Sequence, residues 1–161
     1  MTNYILNGHD LSDLFDAGKP PHSFKDDPRR IVPDKGSIIY SVWNMKEEFL
    51  YIGISGLQKS LDRRNPLSRM QSHASGRRSG DQFCIYIHDL FVIPELVKTG
   101  RFETERGWLD KVTQKYIHDN LVYRFVSFLS DDSDLIVREL ENKIKNGEMG
   151  LTPTINGNEN H

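Results

Sequence analysis

Two short apolar runs, separated by a polar stretch, constrain the fold of this 161-residue chain more than any other feature. Residues 37–43 read SIIYSVW and residues 49–54 read FLYIGI. Both runs have the length of strands and are rich in β-branched and aromatic side chains. Only the polar residues NMKEE lie between them. Strands joined by so short a connection pair antiparallel, so the sequence predicts a β-hairpin.

The rest of the chain reads as helices around one further strand. Pro66 suits a first helical turn and Gly76 a helix end, which predicts a helix over about 66–75. Periodicity does not separate strand from helix for residues 83–93, and we favour helix. We expect the remaining elements to be a short helix at 10–15, a helix at 104–118 begun by Thr104, a strand at 121–129 and a helix at 131–145.

This order predicts an α+β fold with a small three-stranded antiparallel sheet flanked by helices. The chain length suits a single compact domain. Residues 1–35 contain turn-forming segments such as GKPP and DDPRR, and we expect them to form an N-terminal extension.

Composition excludes several classes of protein. No apolar run approaches the roughly 18 residues of a membrane span, and the N-terminus lacks the plan of a signal peptide. We therefore expect a cytoplasmic protein with no membrane partner. Cys84 is the single cysteine, which excludes a disulfide within the chain and a cysteine-ligated zinc site. No HxxxH or HExxH pattern occurs, so a metal site would use oxygen ligands and suit a hard ion.

Four motifs along the chain carry candidate chemistry. Tyr40 and Tyr51 lie on the two hairpin strands, and the second belongs to a Tyr-Ile-Gly motif that ends at Gly53. The other motifs are Arg69-x-x-x-His73 in the basic helix, LENKI at 140–144 and PTIN at 153–156. Over residues 36–156 this set resembles the GIY-YIG nuclease superfamily. The long stretch at 81–120 and the Arg69-x-x-x-His73 motif resemble its restriction-endonuclease branch most.

The resemblance implies a metal-dependent endonuclease that hydrolyses DNA phosphodiester bonds without a covalent intermediate. Glu141 would be the sole protein ligand of one Mg²⁺ or Mn²⁺ ion per active site. Arg69 would contact the scissile phosphate through its planar donor fork. Tyr40 would orient or deprotonate the attacking water, and Tyr51 would help to place water or phosphate.

The remaining site residues keep alternatives open. His73 is a candidate general acid or base, a phosphate contact or a supporting residue. Asn156 is a candidate phosphate contact or a brace, and Gly53 a structural residue that permits close backbone approach. Glu139 competes with Glu141 as metal ligand, although residues two apart on a helix face different ways.

The positive charge is concentrated in one segment. The whole chain has a formal net charge of −2, yet residues 57–80 hold six basic residues and one acidic residue. Such a segment suits a phosphate backbone. Besides Arg69, its basic residues are candidate phosphate contacts, namely Lys59, Arg63, Arg64, Arg77 and Arg78.

The resemblance also implies a domain plan and a partner. Residues 36–161 would form the nuclease domain with a helical insertion at about 81–120, and residues 1–35 an arm for DNA binding or dimerisation. The partner would be DNA, cut on both strands by a homodimer in the restriction manner. The alternatives are a repair or recombination nuclease that nicks one strand, and a domain that binds nucleic acid without cutting it.

Overall fold

The two apolar runs form the predicted hairpin at the centre of the protein. The computed structural model describes residues 2–157. Four antiparallel strands build the main sheet in the order β3-β6-β4-β5, and β1 pairs with β2 in a separate two-stranded ribbon. The strands are β1 (Ile5–Leu6), β2 (His9–Asp10), β3 (His22–Ser23), β4 (Ser37–Asn44), β5 (Phe49–Ser55) and β6 (Leu121–Phe128).

Each of the five predicted helical regions contains a helix, and a further helix follows the region at 83–93. The helices are α1 (Ser12–Phe15), α2 (Leu67–Ser75), α3 (Gln82–Ile87), α4 (Ile93–Thr99), α5 (Trp108–Asn120) and α6 (Ser133–Lys145). A π-helical turn at His88–Val92 joins α3 to α4, so the ambiguous segment at 83–93 is helical. None of the helices that the structure describes is long and apolar enough to cross a membrane.

Two short 3₁₀ turns, at Pro28–Arg30 and Leu61–Arg63, complete the regular structure. The helix expected to begin at Thr104 begins instead at Trp108. Its preceding residue, Gly107, has a φ of 77°, a conformation that glycine adopts without strain. This backbone turn, and not a threonine cap, sets the start of α5.

The predicted three-stranded sheet needs one correction. The three long strands lie where the sequence placed them, but a fourth strand, β3, comes from the N-terminal arm and pairs with β6. The arm also buries Leu11, Leu14 and Phe24. A two-residue strand has too little pattern for a sequence argument, and only the packed structure reveals it. The role of the arm in DNA binding or dimerisation stays a prediction.

Apolar side chains cover both faces of the sheet. On one face, Tyr40 and Val42 pack with side chains that include Met70 of α2 and Phe83 of α3. On the other face, Ile52 of β5 and its neighbours pack against α1 and α6. The sheet is therefore the middle of three layers. On α6, the apolar residues Val137, Leu140 and Ile144 are buried, whereas Leu135 is exposed.

Candidate active site

The two motif tyrosines share one face of the hairpin. In the register of β4 and β5, Tyr40 lies opposite Gly53 and Val42 lies opposite Tyr51. Tyr40 and Tyr51 are therefore diagonal neighbours, and their ring centroids are 6.3 Å apart in a stacked arrangement. Tyr40 is 1% exposed, whereas Tyr51 is half-buried. Sequence alternation alone did not decide this shared face.

Gly53 makes room for the Tyr40 ring. A Cβ atom at position 53 would lie 2.3 Å from both Cζ and Oη of Tyr40, far inside van der Waals contact. The glycine is needed here for space, because its φ is not in the left-handed region. This close approach agrees with the structural role predicted for Gly53.

The Tyr40 hydroxyl is the first member of a buried hydrogen-bond chain. Its Oη lies 2.6 Å from Nε2 of His73 on α2. The other ring nitrogen of His73, Nδ1, lies 2.8 Å from Oδ2 of Asp81. Ser72 donates a hydrogen bond of 2.6 Å to the same carboxylate oxygen. The chain links a strand, a helix and the start of the following helix through side chains alone.

Burial and charge set the protonation of this chain. Burial raises the pKa of Tyr40 well above its usual value, and burial with the charge of Glu141 raises that of Tyr51 to about 12. Burial also lowers the pKa of His73, although Asp81 opposes this effect. For Asp81, burial acts to raise the pKa, but hydrogen bonds and the charge of His73 outweigh it and lower the pKa to about 2. At neutral pH the tyrosines and His73 are neutral and Asp81 is ionised.

Arg69 and Glu141 bring opposite charges to the two tyrosines. The charge of Arg69 acts to lower the pKa of Tyr40 and Tyr51, and the charge of Glu141 acts to raise it. Arg69 is exposed on α2, one turn before the buried His73. Its guanidinium has no hydrogen-bond or salt-bridge partner within residues 2–157. Within the described residues the arginine is thus an unpaired cation whose charge acts on both tyrosines.

Glu141 and its competitor Glu139 lie in different surroundings on α6. The Glu141 side chain is 17% exposed, and its Oε1 lies 2.9 Å from Nζ of Lys145. The Glu139 side chain is 64% exposed, and it lies 4.0 Å from Lys143. Of these two glutamates, Glu141 is the one whose charge raises the pKa of Tyr40 and Tyr51. This geometry favours Glu141 over Glu139 as the carboxylate of the site.

The side chains of the site limit how the predicted metal could be held. Among residues 2–157, no group of three or more His, Cys, Asp and Glu side chains is arranged to hold a metal ion. Mg²⁺, however, is commonly held by one or two carboxylates, with waters and substrate phosphates as its other ligands. A single, partly exposed carboxylate such as Glu141 fits that mode of binding. It does not fit a cage built from protein ligands alone.

Asn156 braces the edge of the sheet. Its Oδ1 accepts a hydrogen bond of 3.1 Å from the backbone N–H of Ile52, and its Nδ2 donates one of 2.6 Å to the carbonyl of the same residue. The backbone N–H groups of Thr154 and Ile155 also donate to carbonyls of β5. Of the two roles left open for Asn156, the structure supports the brace.

Arg64 is not a phosphate contact, and that prediction is wrong. Its side chain is 2% exposed, and its guanidinium donates to backbone carbonyls of 58–59 and 130–131. It also donates to Ser133 Oγ at 2.8 Å and pairs with Asp134 at 3.0 Å. These bonds use its whole donor fork to fasten one loop to the start of α6.

The other candidate phosphate contacts differ in whether their side chains are already engaged by other residues of the protein. Lys59, Arg63 and Arg77 are exposed, and within the described part of the chain their side chains form no salt bridge. The Nε of Arg78 donates to Asp110 at 2.8 Å, so this guanidinium is partly engaged. DNA contact by these four residues stays a prediction.

Asp81 is the site residue that sequence reasoning missed. It lies beyond the basic helix, at the N-cap of α3, where its Oδ1 accepts from the backbone N–H of Cys84 at 3.0 Å. An aspartate directly before an apolar helical run is a recognisable signal for the start of a helix. The contact with His73 has no such signal, because it depends on how the turn at 76–80 folds back.

A small open cleft lies beside Arg69. It has a volume of about 330 Å³, and polar groups of Gln58, Asn65 and Ser68 line it together with Arg69. Two larger clefts, of about 480 and 450 Å³, are lined by the arm and β6 and touch no residue of the site. Of the site residues, Arg69 alone lines this small cleft, so the cleft marks the side of the site at which the arginine meets solvent.

The chain matches no protein-family model, no curated protein and no solved structure. Any functional conclusion therefore depends on the geometry and electrostatics of the site. The groups that bear on it are Tyr40, Tyr51, Arg69, His73 and Glu141.

Proposed function

We propose that this protein is a metal-dependent DNA endonuclease of the GIY-YIG type. The observation that carries the proposal is the 2.6 Å bond from the Tyr40 hydroxyl to His73, within the fields of Arg69 and Glu141. Phosphodiester hydrolysis needs a proton acceptor for water, a cation at the phosphate and stabilisation of the leaving oxygen. This cluster offers a group for each of the first two needs and, for the third, a carboxylate that would hold a metal ion.

The proton acceptor would be Tyr40 acting together with His73. Burial disfavours a free Tyr40 phenolate, so this hydroxyl is a poor base by itself. Its contact with His73 removes that obstacle, because Tyr40 can take a proton from water while its own proton passes to Nε2. The hydroxide then attacks phosphorus, the bond to the leaving oxygen breaks, and the leaving oxygen takes a proton from solvent. Tyr51, stacked beside Tyr40, helps to place the water or the phosphate.

The cation at the phosphate would be Arg69. Its planar fork suits two phosphate oxygens at once, and no partner in the described chain competes for it. Glu141 would hold the Mg²⁺ or Mn²⁺ ion. When bound, such an ion supplies positive charge that stabilises the leaving oxygen.

The substrate would be duplex DNA, with restriction-type cleavage of both strands by a homodimer as the leading mode. Incubation of supercoiled plasmid with the protein and Mg²⁺ or Mn²⁺ tests this. We expect discrete linear fragments, and no cleavage when EDTA is present. Nicked circles alone would favour a repair or recombination nuclease. No cleavage with either metal, together with retained DNA binding, would favour a domain that only binds nucleic acid.

A pair of matched variants tests the carboxylate. Glu141→Gln should abolish cutting and leave DNA binding intact, because it removes a charge without changing the size of the side chain. Glu139→Gln, two positions away and solvent-exposed, is the control and should cut as the wild type does. Normal cleavage by Glu141→Gln would contradict the metal assignment.

A further inference from the structure

His73 has a second partner that the proposed mechanism does not use. Asp81 is 1% exposed, and both of its carboxylate oxygens accept hydrogen bonds. Oδ2 accepts from Ser72 and contacts His73 Nδ1, and Oδ1 accepts from the N–H of Cys84. The carboxylate is thus held in one orientation by α2 and α3 together.

The chemistry of this contact determines which nitrogen of His73 carries the proton. An ionised carboxylate can only accept hydrogen bonds, so the nitrogen that faces Asp81 must be the donor. His73 is neutral near pH 7, since burial lowers its pKa, and a neutral imidazole carries one proton. Nδ1 therefore holds that proton, and Nε2 presents a lone pair to Tyr40 at 2.6 Å.

We propose that Asp81 is a positioning residue that fixes His73 in the Nδ1–H tautomer, so that Nε2 accepts the hydroxyl proton of Tyr40. The tautomer follows from the contacts of a neutral His73 and does not depend on the nuclease function. Its catalytic consequence depends on the proposed nuclease function.

The proton movements balance without any added reactant. Water gives one proton to Tyr40 Oη, and the Tyr40 proton passes to Nε2, so His73 becomes an imidazolium paired with the Asp81 carboxylate. The leaving oxygen takes a proton from solvent, and the imidazolium later returns one proton to solvent. The other charged or titratable groups that act on this chain are Arg69, Tyr51 and Glu141. Arg69 opposes the imidazolium, which makes the negative charge of Asp81 more important.

Asp81→Asn is the sharpest test, because asparagine keeps an oxygen to cap α3 and serves as well as aspartate at an N-cap. Its amide can donate to Nδ1, which favours the opposite, Nε2–H tautomer. Long-range ¹H–¹⁵N spectra of ¹⁵N-histidine protein distinguish the two tautomers, and a His73→Gln sample assigns the His73 signals. We expect Nδ1–H in the wild type and Nε2–H in Asp81→Asn.

Measuring kcat and KM of the variants tests the catalytic consequence of the proposal. An aspartate that orients a catalytic histidine is worth up to about 10⁴-fold in turnover, so we expect Asp81→Asn to lose at least about 10²-fold in kcat. KM for DNA should stay unchanged. The matched control is Asp89→Asn, since Asp89 also contacts a histidine, His88, at 2.7 Å, but its side chain is largely exposed. That variant should keep wild-type kcat.

Each result decides the proposal. A wild-type His73 in the Nε2–H or doubly protonated form at pH 7 would overturn it, even if Asp81→Asn failed to fold. Full activity of Asp81→Asn would overturn it too, as would an activity loss without a tautomer change. If the wild type cuts no DNA, the nuclease function fails. A tautomer change in Asp81→Asn would still support the positioning of His73 by Asp81.

Discussion

The two halves of the basic segment use their arginines in opposite ways. In the loop at 57–66, Arg64 is buried, and its guanidinium donates hydrogen bonds to backbone carbonyls and to Asp134. In helix α2, Arg69 is exposed and has no partner within residues 2–157. The two arginines are five positions apart and carry the same charge. The comparison teaches that local structure, and not charge density, decides which cation remains available to a substrate.

The physical reason for the difference lies in backbone geometry. An irregular loop leaves carbonyl groups without intrachain partners, and a buried carbonyl needs a donor. Arg64 supplies donors to the carbonyls of Gln58 and Lys59 and of Ser130 and Asp131. In a helix the carbonyls accept hydrogen bonds from N–H groups of the same helix, so those around Arg69 on α2 need no side-chain donor.

Removal of Arg64 should produce the largest effect on stability. We expect Arg64→Ala to lower the free energy of unfolding by about 3 kcal/mol or more, since it leaves several buried carbonyls and Asp134 unpaired. Urea denaturation monitored by circular dichroism measures this. Arg63→Ala is the control and should stay within about 0.5 kcal/mol of wild type, because Arg63 is exposed. Equal stabilities of the two variants would break the comparison.

Removal of Arg69 should produce the opposite pattern, with lost activity and retained stability. We expect Arg69→Ala to reduce kcat by about 10²–10³-fold, equivalent to about 2.7–4 kcal/mol of transition-state stabilisation. Its unfolding curve should match that of wild type. Arg77→Ala, an exposed arginine just beyond α2, is the matched control for loss of one positive charge. A similar loss in both variants would mean that Arg69 acts only through general charge.

The contact between Asp81 and His73, on the buried side of α2, should make the stability of the protein fall at acid pH. The pKa of Asp81 falls from 3.8 to about 2 on folding, so its stabilisation is complete above pH 3.8 and is lost as pH falls through 2. At about 1.4 kcal/mol per pKa unit, this shift corresponds to about 2 to 3 kcal/mol. The lowered pKa of His73 acts in the same direction, beginning as pH falls below 6.5.

Urea denaturation of wild type and Asp81→Asn between pH 6 and pH 2 measures the Asp81 contribution. Subtracting the free energy of unfolding of the variant from that of wild type at each pH cancels the contribution of the titratable groups that both proteins contain. The advantage of wild type over the variant should shrink by about 2 kcal/mol across this range. A difference that does not depend on pH would show that the ionised form of Asp81 does not stabilise the fold.

The smallest expected effect concerns how DNA affinity depends on salt concentration. Arg63→Ala should weaken DNA binding and reduce the slope of log affinity against log salt by about 1, the share of a single phosphate contact. Arg64→Ala, measured at a temperature where it is folded, should leave the slope unchanged. Fluorescence anisotropy of labelled duplex DNA at several salt concentrations provides the slope. A change at Arg64 would contradict its structural role.

The elements with strong local patterns could be predicted from sequence. The hairpin follows from two β-rich runs, and α2 ends at Gly76, whose φ of 70° terminates the helix. Residues 83–93 carried no decisive period, and their helical state depends on burial against the sheet. The strand β3 pairs only because the arm folds back along β6. Local signals determine elements, whereas pairing partners are long-range.

The candidate site shows the same division. Sequence alone determined the types of residue on offer: two tyrosines on neighbouring strands, Arg69 and His73 one turn apart, and Glu141 on a late helix. Only the tertiary structure decided that Tyr40 contacts His73, that Asp81 completes the chain, and that Arg64 is internal. The reason is physical, because burial and hydrogen-bond partners are properties of packed surfaces that meet across distant parts of the chain.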